Sequence, residues 1–443
     1  MDRRDFLASG AAILAAGCAP AAPAIPPGEL LATNHVLGHR LRGGGFPAAT
    51  QVRRVRVAIV GAGISGLSAA WRLRRAGFDD FELLELENEP GGNARSGRNE
   101  VSAYPWGAHY IPLPSRESRA TRLILAEQGV LLGDPDAARP RYEERALCQA
   151  PQERLYRNGT WEEGLAPLAG RTRDEIREWQ RFHDRMREFR AMRGKDGRRA
   201  FAIPLGFSSR DPALLALDRL TLHDWLRGEG FVSEAVHWLA NYACRDDYGC
   251  EHREVSAWAG IHYFACRGGA GREDDQDTVL TWPEGIGFVV RNLVERHGLR
   301  ATAGAIVHRV EEDRRGVRLL AHLAAEKRSV EIRAEHVIWA APFAFAARAL
   351  AGAPEALVRA LGSWEYAPWL TANLTLSEPP YVHHGAPLSW DNVIHDSASL
   401  GYVVATHQDV ATRPGPTVLT WYRPLSEQAP AAGRQRLLSG TRQ

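Results

Sequence analysis

Cysteine is scarce in this chain, with five in 443 residues. Apart from Cys18 in the leader these are Cys148, Cys244, Cys250 and Cys266, too few for a disulfide framework to define the fold. The most apolar stretch, Leu7 to Gly17, falls short of the ~20 residues that a membrane-spanning helix needs. An excess of charge of one sign is missing as well: 55 basic residues stand against 53 acidic ones, which excludes the basic footprint of a nucleic-acid binder. The arginines from Arg185 to Arg199 read as a solvated helix face. There is no internal repeat, and no long low-complexity tract beyond the leader. The grouping Cys244, Cys250, His252, His262 and Cys266 lacks CxxC spacing, so no metal site is expected from it.

What the sequence does have is concentrated between Val55 and Gly92. Val55, Val57, Ile59 and Val60 form an apolar run expected of a parallel strand buried on both faces. It ends in Gly61, Gly63 and Gly66, a G-x-G-x-x-G turn. The first glycine permits the tight turn, the second the approach of a pyrophosphate, and the third close helix packing. With Ala62, Ile64 and Ser65 these residues would present backbone N–H groups to an anion at a helix N-terminus. From Ile64 to Ala76, Leu67, Ala70, Trp71 and Leu73 share a helical face, while Arg72, Arg74 and Arg75 complement the C-terminal end and Gly77 terminates it. A second strand, Phe81 to Leu86, carries Glu85 close to the ~20-residue distance at which an acid accepts hydrogen bonds from a ribose. The unit reads as a dinucleotide cradle.

The residues that follow resemble the FAD-binding segments of the flavin-containing amine oxidase superfamily. Pro90-Gly91-Gly92-Asn93-Ala94-Arg95 and Trp106-Gly107-Ala108-His109-Tyr110-Ile111 come first. Thr281-Trp282-Pro283-Glu284-Gly285-Ile286-Gly287 is similar to the T-x-P-x-G-G-M-G block, Ala305 to Val310 to the strand whose valine meets the adenine, and His336 to Pro342 to the strand leading back out. The resemblance implies FAD as cofactor. It also implies Leu86, Gly91, Gly92, Asn93, Arg95, Gly107, Ala108, His109 and Val307 as contacts beside the glycine turn and Glu85. It places Gly107-Ala108 by the isoalloxazine and His109 near the substrate, where the imidazole would orient an amine or move a proton. Trp282, Trp258 and Tyr263 are candidates for a cavity lining, or else core residues.

The N-terminus carries an address. Asp2-Arg3-Arg4-Asp5-Phe6-Leu7, an apolar run and then a Pro/Ala-rich stretch match a twin-arginine signal peptide, implying the twin-arginine export machinery as a partner and a periplasmic or other extracytoplasmic location. Leu14-Ala15-Ala16-Gly17-Cys18 resembles a lipobox, so a lipid anchor on Cys18 competes with cleavage after a small residue such as Ala24. Cys244 and Cys250 would be free to pair there, but a protein folded before export does not depend on it.

The fold class expected is α/β, a Rossmann-like FAD-binding domain with an interleaved α+β substrate domain. Its segments are a signal peptide over 1–24, a linker over 25–51, FAD-binding parts over 52–114 and 278–345, a mostly helical first substrate part over 115–277, and a second over 346–443. Within the last, Leu370 to Leu376 and Gly401 to Thr406 alternate as strands. The expected activity is that of an FAD-dependent oxidoreductase taking a hydride from an amine, conceivably a polyamine. The alternatives are a desaturase or dehydrogenase of an apolar substrate, and an inactive exported binding protein. Two departures from the family weigh on this: the strand WLTANLTLSEPP offers none of the lysine that many members carry, and no terminal G-E-x then G-x-x-x-G-A motif precedes Gln443, which reads as a chain truncated relative to a longer parent, with weakened FAD binding.

Overall fold

The computed structural model describes residues 26–31, 33–269, 271, 278–381, 384–409 and 415–440. The twin-arginine pattern and Cys18 lie outside the described residues.

A six-stranded sheet forms the first layer. Its order is Ala301–Thr302, Phe81–Leu84, Ala49–Val60, Arg328–Trp339, Gly316–Leu323 and Ala305–Asp313. The first four pair in parallel and the last two join as an antiparallel meander. Only the last third of Ala49–Val60 is buried, Val57 to Val60, and that is where the apolar run lies. Helix Ile64–Arg75 packs Leu67, Ala70 and Trp71 on this sheet, and helix Gly287–His297 closes the same core with Val289, Val290 and Leu293.

The stretch 25–51 is more than the linker expected. It holds a helix, His35–Gly43, whose Leu37 and Gly38 are buried, and the strand already starts at Ala49. The backbone N–H of Asn34 donates to both oxygens of Glu87 at 3.0 and 3.1 Å, and its side chain donates to Leu86 O at 3.1 Å. Those three bonds dock the helix against the end of the second strand, which composition alone does not reveal.

A second six-stranded sheet runs Trp369–Leu376, Thr417–Pro424, Gly401–Val404, Asp391–Ile394, Glu153–Arg157 and Thr160–Glu163. The strands expected over Leu370 to Leu376 and Gly401 to Thr406 are present as Trp369–Leu376 and Gly401–Val404. The regular elements of 115–277 are mostly helical, as expected, but the segment also supplies Glu153–Arg157 and Thr160–Glu163, which complete this sheet, the former in parallel with Asp391–Ile394. Their alternation is short and interrupted by Arg154, a buried cation that hides the strand signal. That guanidinium donates to Asn392 Oδ1 at 2.6 Å and lies over the Trp161 ring at 3.8 Å.

The helices of this region pack as a unit. Thr172 and Glu175 form a capping box on Arg173–Ala191, and Thr221 and Ser256 cap Leu222–Gly228 and Ala257–Ala265. With Glu234–Tyr248 they enclose a core of Phe182, Phe201, Trp225, Phe231 and Ile261. Phe182 meets Phe231 edge-on, with centroids 5.7 Å apart. Cys148, Cys244, Cys250 and Cys266 are free thiols. Among the described residues no helix is long and apolar enough to cross a membrane.

Strand Tyr110–Pro112 leaves the first domain, pairs antiparallel with Val279–Thr281, and leads into a turn held by Arg122. This guanidinium, 1% exposed, donates to Pro114 O, Pro135 O and Ala137 O at 2.9, 3.0 and 2.7 Å. Arg122→Met keeps the length but strands three carbonyls, so we expect a loss of about 3 kcal/mol in denaturant unfolding.

Candidate active site

Two glycine turns face each other at the C-terminal end of the parallel strands, where open α/β sheets bind ligands. Gly61 adopts φ +99°, and a Cβ there would meet Ala340 O at 2.9 Å. A Cβ on Gly66 would overlap the Gly61 carbonyl oxygen. Strand end, turn and helix therefore touch backbone to backbone, and only hydrogen side chains fit. Helix Ile64–Arg75 begins at Gly63 without a side-chain cap or a first-turn acid, so the N–H groups of its first turn face outward. Ile64 and Ser65 are exposed at this end. That is the arrangement an anion satisfies.

Glu85 is buried beside the turn, and its two oxygens accept from Ala62 N at 2.6 Å and Glu87 N at 2.9 Å. Each oxygen retains a lone pair, the requirement for receiving ribose hydroxyls as well. Gly63 bridges Gly91 across the gap, and Gly92 follows. Arg95 turns back, its Nε donating to Gly92 O at 3.3 Å and its Nη1 lying 3.5 Å from Glu87. Leu86 packs toward the N-terminal helix at Gly38. Val307 is buried at a register irregularity of the edge strand, whose first residue, Ala305, donates to Glu85 O at 2.7 Å. The glycine turns, Glu85 and the start of the edge strand are thus brought together, and they fit an ADP-containing cofactor, whereas the Leu86 side chain turns to the N-terminal helix.

The second wall is built from Gly107, Ala108 and His109. Ala108 N donates to Asn93 O at 2.9 Å, Ile286 N donates to Ala108 O at 3.1 Å, and Thr281 Oγ1 donates to His109 O at 2.9 Å. The block Thr281–Gly287 therefore clamps the backbone that carries His109. The Nδ1 of His109 lies 3.1 Å from Gly107 O and is the donor there, which leaves Nε2 as an acceptor. Burial lowers this imidazole's pKa, against the opposing effect of the Gly107 bond, so the ring is neutral near pH 7. It sits among Tyr110, Trp390 and Tyr422, with centroids 5.3, 5.7 and 5.2 Å away. Pro105, Trp282, Val404 and Gln408 line the cleft beside it.

Beyond His109 lies a group of acids that the sequence did not suggest. Asp246 and Asp247 end helix Glu234–Tyr248, and Asp391 opens a strand of the second sheet. Asp391 accepts from Tyr422 at 3.0 Å and from Tyr242 at 3.5 Å. Arg267 donates to Tyr110 Oη at 3.0 Å and offsets part of the negative charge. Asp247 is exposed at this helix end, yet the protein around it raises its pKa, with Arg267 opposing. Burial, then the neighbouring Asp247, pushes Asp246 up to about 7. Burial, then Asp246, drives Asp391 well above the carboxylate range. The one advance signal was the adjacent pair Asp246-Asp247 near the end of a helix that is otherwise rich in buried apolar residues.

Of the aromatic candidates, Tyr263 belongs to this group and interacts with Asp246, whereas Trp258 stacks on His262 at 5.1 Å inside the helical core. Trp282 does both, stacking on Phe288 at 4.7 Å while lining the cleft.

Asp246 has a stability consequence. Its folded pKa exceeds the unfolded one, so its contribution is full below pH ~4 and is lost as pH rises through about 7. Thermal unfolding of the cofactor-free protein should therefore drop between pH 5 and pH 8, and Asp246→Asn should flatten that drop. Each kcal/mol recovered is worth about 1 °C in a chain of this length.

Residues 59–127 match the NAD(P)-binding Rossmann-like domain family. The chain is 37% identical over 92 residues to the bovine peroxisomal N(1)-acetyl-spermine/spermidine oxidase, covering 20% of this chain and 18% of that protein. It is 28% identical over 271 residues to AofH of Mycobacterium tuberculosis, named as a flavin-containing monoamine oxidase, covering 59% and 53%. The matches thus span about half or less of these relatives' length. A putrescine oxidase bound to putrescine superposes with TM-score 0.61 at 16% identity, over 88% of this chain and 78% of that one. A conjugated-linoleic-acid-producing fatty acid isomerase from P. acnes does so with TM-score 0.57 at 15% identity, over 87% and 81%. The chain therefore shares its fold with solved amine oxidases and a fatty acid isomerase, its sequence relatives include amine oxidases and monooxygenases, and residues 59–127 form an NAD(P)-binding Rossmann-like domain.

Proposed function

We propose that the protein is an FAD-dependent oxidoreductase whose substrate is an amine. The observation that carries the reading is the acidic group beside Tyr110: Asp246 and Asp247, with the Tyr110 and Tyr263 rings near them and Arg267 as the opposing cation. Two carboxylates against one guanidinium leave room for one more positive charge, which an alkylammonium supplies. The fold does not select the substrate by itself, since amine oxidases and a fatty acid isomerase share it.

In this reading the first-turn N–H groups of helix Ile64–Arg75 hold the diphosphate, Glu85 accepts from the ribose, and the Gly107-Ala108 backbone supports the ring system. When bound, FAD supplies the acceptor for a hydride from the carbon beside the amine nitrogen, and water hydrolyses the imine released. Asp246 and Asp247 hold the ammonium end. Tyr422, Trp390 and Tyr110 enclose it and exclude bulk water. Strand Trp369–Leu376 has no lysine, so proton handling falls to His109 Nε2, a neutral acceptor, and to the aspartate pair.

The leader adds a location: we propose export through the twin-arginine route on the strength of Arg3-Arg4. Replacing both by lysine should hold the protein in the cytoplasm in a fractionation assay.

The activity test is anaerobic bleaching of the FAD-loaded protein's visible spectrum by a panel of amines and, separately, by apolar polyenes. Bleaching by amines is expected, with kcat/KM rising as pH increases through about 7, the region where Asp246 ionises. Asp246→Asn should lower kcat/KM by about 10- to 100-fold and remove that rise, the loss of a charge-assisted contact. Bleaching by polyenes alone overturns the amine reading.

A further inference from the structure

We propose that His223, His237 and His252 bind a divalent transition-metal ion of the zinc type, at a site in the helical region separate from the cradle. His223 stands at the start of helix Leu222–Gly228, His237 within Glu234–Tyr248, and His252 in the loop after it. One ring nitrogen from each converges, all within 4.8 Å of one another.

The hydrogen bonds fix which nitrogen each ring turns inward. His237 Nε2 lies 3.0 Å from Phe231 O, a carbonyl that can only accept, so Nε2 carries the proton and Nδ1 the lone pair. Asn241 Oδ1 accepts from the backbone N–H of His252 at 3.0 Å, which identifies it as the oxygen. His252 Nδ1, 2.9 Å from the same atom, is therefore the donor and Nε2 carries the lone pair. These two lone pairs, His237 Nδ1 and His252 Nε2, face each other at 3.2 Å with no proton of either neutral ring between them. His223 repeats the pattern, its Nδ1 lying 3.1 Å from Asp224 Oδ1, so that Nε2 is its free acceptor. Three acceptors pointing at one another repel unless a cation lies between them.

Zinc suits the spacing and the surroundings. Tetrahedral Zn–N bonds of ~2.0–2.1 Å place ligand nitrogens ~3.3–3.4 Å apart, and the His237–His252 separation is already close to that. His223, half-buried like His237, needs a movement of at most about 1.5 Å to close the triangle. Each ring's outer nitrogen rests on a carbonyl, an amide oxygen or a carboxylate, the outer shell that orients metal-binding histidines. Glu178 and Asp224 supply negative charge nearby, against Arg253. Water would take the fourth position. His223 N also donates to His252 O at 3.0 Å, so the ion would staple two segments already in register.

Sequence spacing groups His252 with Cys244, Cys250, His262 and Cys266 and dismisses zinc. The fold separates that set: His262 bonds Ala202 O at 3.0 Å, while Cys244 and Cys266 are buried in the helical core. The ligands that do converge come from positions no short motif links.

The test is a Zn²⁺ titration of the full, chelator-dialysed protein by calorimetry, with metal content measured on the recovered sample. One ion per chain is expected, with a raised unfolding temperature, and Co²⁺ in its place should give the strong visible absorption of tetrahedral coordination. His223→Ala should weaken binding at least about 100-fold with unchanged circular dichroism, and Asp224→Asn about tenfold. A folded wild-type chain without stoichiometric binding overturns the proposal, as does His223→Ala binding like wild type.

Discussion

The structure hinges on one close approach, that of the Gly61 backbone to Ala340 on one side and to the start of the helix at Gly66 on the other. Ala340 N donates to Val60 O at 2.8 Å and Gly61 N to Leu84 O at 2.8 Å, so three parallel strands end at the same level. The helix then starts immediately and aims its unpaired N–H groups across the gap toward Gly91 and Gly92. Any side chain in that contact would lift the helix from the sheet and move the anion site off the strand ends. The steric limit thus fixes the direction of the helix dipole and the place where a phosphate would rest.

From that fixed point the chain reaches the chemistry by short, well-anchored steps. The Thr281–Gly287 block holds the Gly107–His109 backbone, and the second sheet brings Trp390, Asp391 and Tyr422 against the same imidazole. The acids come from a helix end and a strand start in the two separate segments of the substrate domain, and only Tyr110 comes from the first domain. Burial penalises these carboxylates, and Arg267 compensates only in part. Holding carboxylates in this way costs stability, because burial favours their neutral form.

The first domain was legible because its rules are local. Gly61, Gly63, Gly66 and Glu85 lie on one strand–turn–helix–strand unit, where each residue's neighbours in space are its neighbours in sequence. The downstream blocks were readable for a similar reason, as compact motifs in a set order. The docking of Asn34 on Glu87 was not, since it pairs residues from separate segments whose composition is unremarkable. Glu153–Arg157 was missed because Arg154 is buried through bonds to Asn392 and a ring contact with Trp161, all of them tertiary. The group of Asp246, Asp247 and Asp391 likewise exists only once the helical region and the second sheet meet.

The same reasoning connects that group with the three histidines. In both places polar groups of like character face one another at short range, and hydrogen bonds on their outer sides prevent them from turning away. Phe231 O and Asn241 hold His237 and His252, while Tyr422 holds Asp391. A fold that only needed stability would have filled either place with apolar side chains, because replacing buried polar clusters in that way is often neutral or stabilising. What distinguishes the two is the charge they invite and the geometry they impose: carboxylates among aromatic rings suit a diffuse organic cation, whereas converging imidazole lone pairs at 3.2 Å suit a small, directional metal ion.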